Sequence, residues 1–265
     1  MKNAVLSLLS PEYPWKEEFH HFTTIGSTND ELKKMARSGV PHGTVLVADH
    51  QSNGHGRLGR SFQSSAEAGV YLSILLRPNC PPKELMHLTC AAAVAMCDAV
   101  EQAAGFRPGI KWTNDLVHGK KKLGGILTEL LFGKNGLVDY AIVGIGINCC
   151  QKKEDFSPDI QEIAASLSMV TGHKIDRSKI AAAMMDALYR MDNRLLDKKQ
   201  DILQQYRENC ITIGQEVSVV RGDEVRHGTA LSVDDDGALL VRFTDGTIQA
   251  VSSGEVSVRG MYGYI

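Results

Sequence analysis

Hydrophobic positions along the chain switch between short β-branched runs and longer stretches of helical spacing, and each change of period marks an element. "FHHFTTI" (19–25) reads as a strand. "STNDELKKMARSG" (27–39) reads as a helix capped by Ser27 or Thr28, with Asp30 and Glu31 in its first turn and Gly39 as its stop. "GTVLVADH" (43–50) is a buried strand, and the loop "QSNGHGRLGRS" (51–61) follows it directly. "SFQSSAEAGVYLSILLRP" (61–78) then turns apolar and β-like, so the loop joins strand to strand. A long helix is predicted over 81–105, opened by Pro81 and Pro82 and closed by Gly105. "GIKWTNDLVHG", "KKLGGILTELL" and "LVDYAIVGIGINCC" read as three strands, with turns at His118–Gly119 and Lys134–Asn135–Gly136. From Asp176 to about Asn209 the pattern is helical and amphipathic. Beyond Ile211 short alternating runs, with hairpin signals at Asp236–Gly237 and Asp245–Gly246, replace it. The expectation is an α/β (α+β) chain, with a mixed β-sheet domain and flanking helices over 1–210. A small all-β domain of the SH3-like barrel kind follows over 211–265.

Charge and composition narrow the classes of function. Twenty-nine basic against 31 acidic side chains leave a net charge of −2, so no global field points to nucleic acid or an anionic membrane. The apolar run near the start carries one basic residue, Lys2, and no cleavage signal, and no stretch has membrane-spanning length; both point to a cytoplasmic protein without a membrane partner. The six cysteines form no C-x-x-C pair and lie largely in apolar runs, which reads as buried thiols. His20–His21 has no third ligand nearby, so no metal site is expected.

Three stretches carry candidate chemistry. Gly54, Gly56 and Gly59 spell G-x-G-x-x-G, but no helix follows and no acidic residue closes a later strand, which argues against a dinucleotide fingerprint. Glycines admit close backbone approach, and the guanidinium forks of Arg57 and Arg60 suit phosphate or carboxylate. An anion flap and a solvated loop with surface ion pairs both fit the loop taken alone. In "KWTNDLVHGKKKLGG", Lys111, Asn114 and Asp115 close one strand and Lys122 opens the next beside Gly124–Gly125, which a hairpin would bring together. Asn148 ends the apolar strand "VGIGIN", suited either to a purine edge or to a turn.

Taken in order, "STN" (27–29), "ADHQSNGHGRLGRSF" (48–62), "KWTNDL" (111–116), "KKLGGILTE" (121–129) and "GIGIN" (144–148) resemble the biotin protein ligases, a resemblance covering residues 20–265. It implies ATP-dependent activation of biotin as biotinyl-5'-AMP with release of pyrophosphate, then transfer to a lysine of a biotin carboxyl carrier protein. Ser27, Thr28, Asn29, Gln51, Gly54, His55, Gly56, Arg57, Lys122, Gly124 and Gly125 would line the biotin site. Arg57, Arg60, Phe62, Lys111, Asn114, Lys122 and Asn148 would hold ATP or the adenylate, with Phe62 over the adenine. Lys122 and Arg57 would steady the reacting anions, Asp115 would orient the acceptor amine, and Mg²⁺ would be held mainly by ATP phosphates. His55 stands where the family often has arginine, Phe62 where tryptophan is common and Thr113 where proline is common. Some members carry an amino-terminal helix-turn-helix; only some twenty residues precede the first catalytic strand here, so DNA binding is not expected. Lipoate or octanoate ligation and a non-catalytic biotin-binding regulator are the rival readings, and monomer or homodimer stays open.

Overall fold

The computed structural model describes residues 1–252 and 257–260. Its elements begin with a short helix α1 (Lys2–Leu8), then β1 (Phe19–Ile25), α2 (Thr28–Arg37), β2 (Val45–Gln51) and β3 (Gly69–Leu76). There follow α3 (Leu88–Ala104), β4 (Gly109–Lys111), β5 (Asp115–His118), β6 (Lys121–Phe132) and β7 (Val138–Asn148). Helices α4 (Leu167–Thr171), α5 (Arg177–Asp192) and α6 (Lys199–Asn209) precede the strands β8 (Glu216–Arg221), β9 (Glu224–Val233), β10 (Leu239–Phe243), β11 (Ile248–Val251) and β12 (Ser257–Gly260).

The first seven strands form one mixed sheet in the order β1-β2-β3-β7-β6-β5-β4. Only β1 and β2 run parallel; every other pairing is antiparallel. The remaining five form an antiparallel sheet, β11-β10-β9-β8-β12. This is the α/β architecture with a small all-β domain that the periodicity predicts; 253–256 and 261–265 of its expected span lie outside the described residues. Strand β3 is buried along its whole length, as its largely apolar run requires. Helix α2 covers one face through Leu32 and Ala36 on Leu46, Leu75 and Ile142. Helices α3 and α5 cover the other, and the alanines at 91–93 of α3 and 181–183 of α5 let the two helices and the sheet pack closely. Among the described residues no helix is long and apolar enough to cross a membrane. All six cysteines are free thiols, five of them buried.

Several details differ from the sequence expectation, the short α4 among them. The segment 109–119 is not one strand but two, β4 and β5, which pair with each other so that Lys111 faces Asp115 across the turn Trp112–Asn114. Lys111–Asp115 are five consecutive polar or aromatic residues, and Asn114 and Asp115, poor strand formers, sit where the chain turns. The amphipathic stretch 176–209 is broken into α5 and α6, because Arg194, Leu195 and Lys198 turn back in single-turn hydrogen bonds and Lys198 leaves helical geometry. The long helix over 81–105 begins as a 3-10 turn at Pro82–Leu85, with α3 proper starting at Leu88. Helix α1 was not expected at all; its Val5 is buried among the core side chains.

Candidate active site

On the α2 side of the sheet lies a cavity of about 490 Å³, walled by the 51–62 loop, the turn 112–115 and the start of β6. Its floor is β7, where glycine recurs with the strand period at 144 and 146. Each glycine makes room for a side chain that leans in. A β-carbon on Gly144 would collide with the Asn29 carboxamide, and one on Gly146 would come within 2.6 Å of the Phe62 ring. On β6 a β-carbon at Gly125 would press on Lys122 Nζ at 3.2 Å and Asp115 Oδ1 at 3.5 Å. Gly124 does not line the cavity; it lets β6 close on β7, its missing β-carbon falling 2.5 Å from the Gly146 carbonyl.

The uncharged end is a buried hydrogen-bond chain. Ser27 caps α2 by accepting from the Asp30 N–H at 3.4 Å. Thr28 donates from both its backbone N–H and its hydroxyl to Gln51 Oε1, at 2.7 and 2.9 Å. The Ser73 hydroxyl lies 2.7 Å from Thr28 Oγ1 and 2.6 Å from Asn29 Oδ1. Asn29 Nδ2 donates to Glu129 at 2.8 Å, and Lys33 braces that carboxylate at 2.7 Å. Ser27, Thr28 and Asn29 are each at most 5% exposed, so these bonds fix where their polar atoms point. Ser73 and Glu129 were given no role by the sequence: Ser73 sits inside an apolar strand outside every motif, Glu129 closes "KKLGGILTE" without a stated function, and only the fold brings them to α2.

The glycine loop is a narrow tongue. Its two arms are stitched by Phe62 N–H to Gly54 O at 2.9 Å and Gly56 N–H to Arg60 O at 2.7 Å, and its tip turns through Leu58 and Gly59 at φ 56° and 72°. Gly54 does not line the cavity, and a β-carbon there would meet the Phe62 carbonyl at 2.7 Å. His55 pairs with Asp30 at 2.9 Å, tying the tongue to α2. Arg57 donates to Asn114 Oδ1 at 2.9 Å, across the cavity to the β4–β5 turn. Burial lowers the Arg57 guanidinium from its usual value, with nearby Asp115 opposing the shift and Arg60 adding to it.

At the charged end Lys122 Nζ donates to Asp115 Oδ1 at 2.6 Å. Four cations, Arg57, Arg60, Lys111 and Lys122, line the cavity against one carboxylate, Asp115. Such an excess of positive charge in a partly buried cleft suits anionic ligands. Trp112 belongs to the same wall, and its indole N–H reaches Gly237 O at 3.0 Å, so the small β domain braces the cavity. Asn148 lies elsewhere: it is 5% exposed, donates to Ala165 O at 3.1 Å and accepts from Gln151 at 3.2 Å. Ile163, Leu127 and Trp112 also line the cavity; Trp112 and Leu127 fall within the sequence motifs without having been assigned a role, and Ile163 lies outside every motif.

A recess of fixed polar groups, four cations beside it and a glycine-arginine tongue across the cavity suit the class of site that takes a neutral polar group next to an anion. The comparisons make that class specific. Residues 22–148 match the Biotin/lipoate A/B protein ligase family and residues 212–259 the Biotin protein ligase C terminal domain. The chain is 34% identical over 238 residues to the bifunctional ligase/repressor BirA of Bacillus subtilis, covering 88% of this chain and 72% of that protein. It is 32% identical to a biotin--[acetyl-CoA-carboxylase] ligase of Mycobacterium tuberculosis, covering 87% of this chain and 85% of that one. A structure of the biotin protein ligase from Aquifex aeolicus, in complex with biotin and ATP, superposes with a TM-score of 0.78 at 30% identity, covering 91% and 98% of the two chains. The chain belongs to the biotin protein ligase family, and it is an enzyme of biotin ligation.

Proposed function

We propose that this enzyme condenses biotin with Mg·ATP to biotinyl-5'-AMP and pyrophosphate, then passes the biotinyl group to a lysine of a carrier protein. Supporting this is the one-sided charge of the cavity, four cations to one carboxylate, beside an uncharged recess of fixed donors and acceptors. Biotin's ureido ring would meet Ser27, Thr28, Asn29 and Gln51, while its carboxylate extends toward Lys122 and Arg57. The reaction must bring that carboxylate onto the α-phosphorus of ATP against the repulsion of two anions. One cation about 4 Å from one phosphate charge offsets roughly 4 kcal/mol at an effective dielectric of about 20, before desolvation. Mg²⁺ would arrive with the nucleotide, bound by phosphate oxygens and water.

Lys122 would exchange Asp115 for the substrate anions, which leaves the Asp115 carboxylate beside the reacting carbon. There it would orient the acceptor ammonium, whose pKa of about 10.4 when free requires loss of a proton before attack. Phe62 would cover the adenine above Gly146, with Lys111, Asn114, Arg60 and Asn148 supporting the nucleotide side, Asn148 from behind the wall. The carrier would be the biotin carboxyl carrier protein or domain of a cytoplasmic carboxylase. We assign 1–210 to catalysis and 211–265 to bracing the site through Trp112. Pyrophosphate release from Mg·ATP with biotin, lipoate or octanoate offered separately tests the reading. Release with biotin alone, with biotinyl-5'-AMP identified by mass, is the expected result; release with lipoate instead would refute it.

A further inference from the structure

Past the tongue the chain runs through Phe62 and Gln63, whose side chains take different partners. Phe62 leans on Gly146 in the cavity wall. The Gln63 carboxamide leaves the cavity for the segment after β7: Nε2 donates to the Asp155 carbonyl at 2.8 Å, and Oε1 accepts from the Ser157 N–H at 3.0 Å. One side chain thereby satisfies both a carbonyl and an N–H of the same segment, as a neighbouring strand would.

That segment reaches the cavity at its other end. Its N–H and carbonyl groups pair with the backbone of Lys122, Lys122 N–H to Ile163 O at 2.7 Å and Ala165 N–H to Lys122 O at 2.9 Å. Ile163 lines the cavity. Near its start the segment is anchored to β7 by Gln151 on Asn148 at 3.2 Å. Between those two anchors, Gln63 ties the segment to the tongue.

We propose that Gln63 is a positioning residue for the nucleotide half of the site: a two-way latch that holds the tongue's return arm, with Phe62, against the segment that carries Ile163 to Lys122. This rests on the adenylation reading above. Gln63 touches no reacting atom, so its loss should register in nucleotide and adenylate retention rather than in biotin recognition, which is built on α2, β2 and β3.

The test is biotin-dependent pyrophosphate release by the wild type, Gln63→Ala and Gln63→Glu, with KM measured for each substrate, adenylate dissociation timed, and thermal midpoints recorded. Loss of two partly solvated hydrogen bonds should raise KM for ATP and the adenylate dissociation rate about threefold or more in Gln63→Ala, with KM for biotin within about twofold. Gln63→Glu keeps the side chain's volume but sets a carboxylate against the Asp155 carbonyl, so it should do no better than alanine. A near-normal Gln63→Glu, unchanged ATP and adenylate values in Gln63→Ala, or equal changes for ATP and biotin would overturn the latch. No release by the wild type would overturn the adenylation reading itself, and the latch with it.

Discussion

Replacing Gly144 by alanine tests how the floor of the pocket is built. The new β-carbon would lie 2.7 Å from Asn29 Cγ and 2.9 Å from its Nδ2, and closer still to Oδ1. Asn29 has little freedom to retreat, being 4% exposed and held by Ser73 at 2.6 Å and Glu129 at 2.8 Å. If it moves, the bond to the Glu129 carboxylate is lost, at about 1.5–3 kcal/mol for a hydrogen bond to a charged group. If it stays, overpacking costs about 1–3 kcal/mol. Either route gives roughly 2 kcal/mol, a factor of about 30 in the folded-to-unfolded ratio. Denaturant unfolding followed by tryptophan fluorescence should show a lower midpoint with an unchanged slope. Because the same shift displaces the Thr28–Asn29 recess, KM for biotin should also rise. A cycle with Asn29→Ala isolates the clash, and the double variant should be more stable than the sum of the singles by about 1–2 kcal/mol. A Gly144→Ala protein within about 0.5 kcal/mol of wild type, or an additive cycle, would refute the reasoning.

Three further outcomes are expected. Lys122→Ala should reduce biotin-dependent pyrophosphate release about a hundredfold or more, the scale seen when one preorganised donor to a developing charge is removed; near-normal release would displace Lys122 from adenylation. Arg57→Gly removes the tongue's bond across the cavity to Asn114, 2.9 Å long, and should speed loss of biotinyl-adenylate about tenfold or more, checked by following retained adenylate after gel filtration. Burial raises the pKa of Asp186, against the Ser10 N–H and the nearby cations Arg190 and Lys16, with Glu12 adding to the rise. A raised folded pKa gives stability that is full below the unfolded value of about 3.9 and is lost as pH rises through the folded value. The thermal midpoint of Asp186→Asn relative to wild type should therefore improve from pH 4 to pH 7, and a pH-independent difference would count against the assignment.

The parts of this molecule legible in its sequence are those whose physics is local. Strand β3 announces itself because it is a largely apolar run, interrupted by Ser73 and buried at every position, and α2 because Ser27, Asp30 and Glu31 mark its start. The tongue was legible as a strand-to-strand loop with arginines, since glycine and guanidinium carry their reasons with them. What escaped depends on register between distant strands. Glu129 is one of two adjacent polar residues in an apolar run, and its meaning comes from Asn29, a hundred positions away in sequence and 2.8 Å away in space. Asn148 could be either a purine contact or a structural asparagine in sequence, and the Ala165 carbonyl and Gln151 now claim its carboxamide. The glycines at 144 and 146 show the same division most clearly. Alone they read as weak points in a strand; in the fold each absent β-carbon is occupied by a group from another element, Asn29 in one case and Phe62 in the other. Strand β7 therefore spaces the polar recess and the aromatic wall two residues apart along one rigid backbone. Substitutions at Gly144 and Gly146 should accordingly separate biotin recognition from nucleotide binding, the first raising KM for biotin more than for ATP and the second doing the reverse.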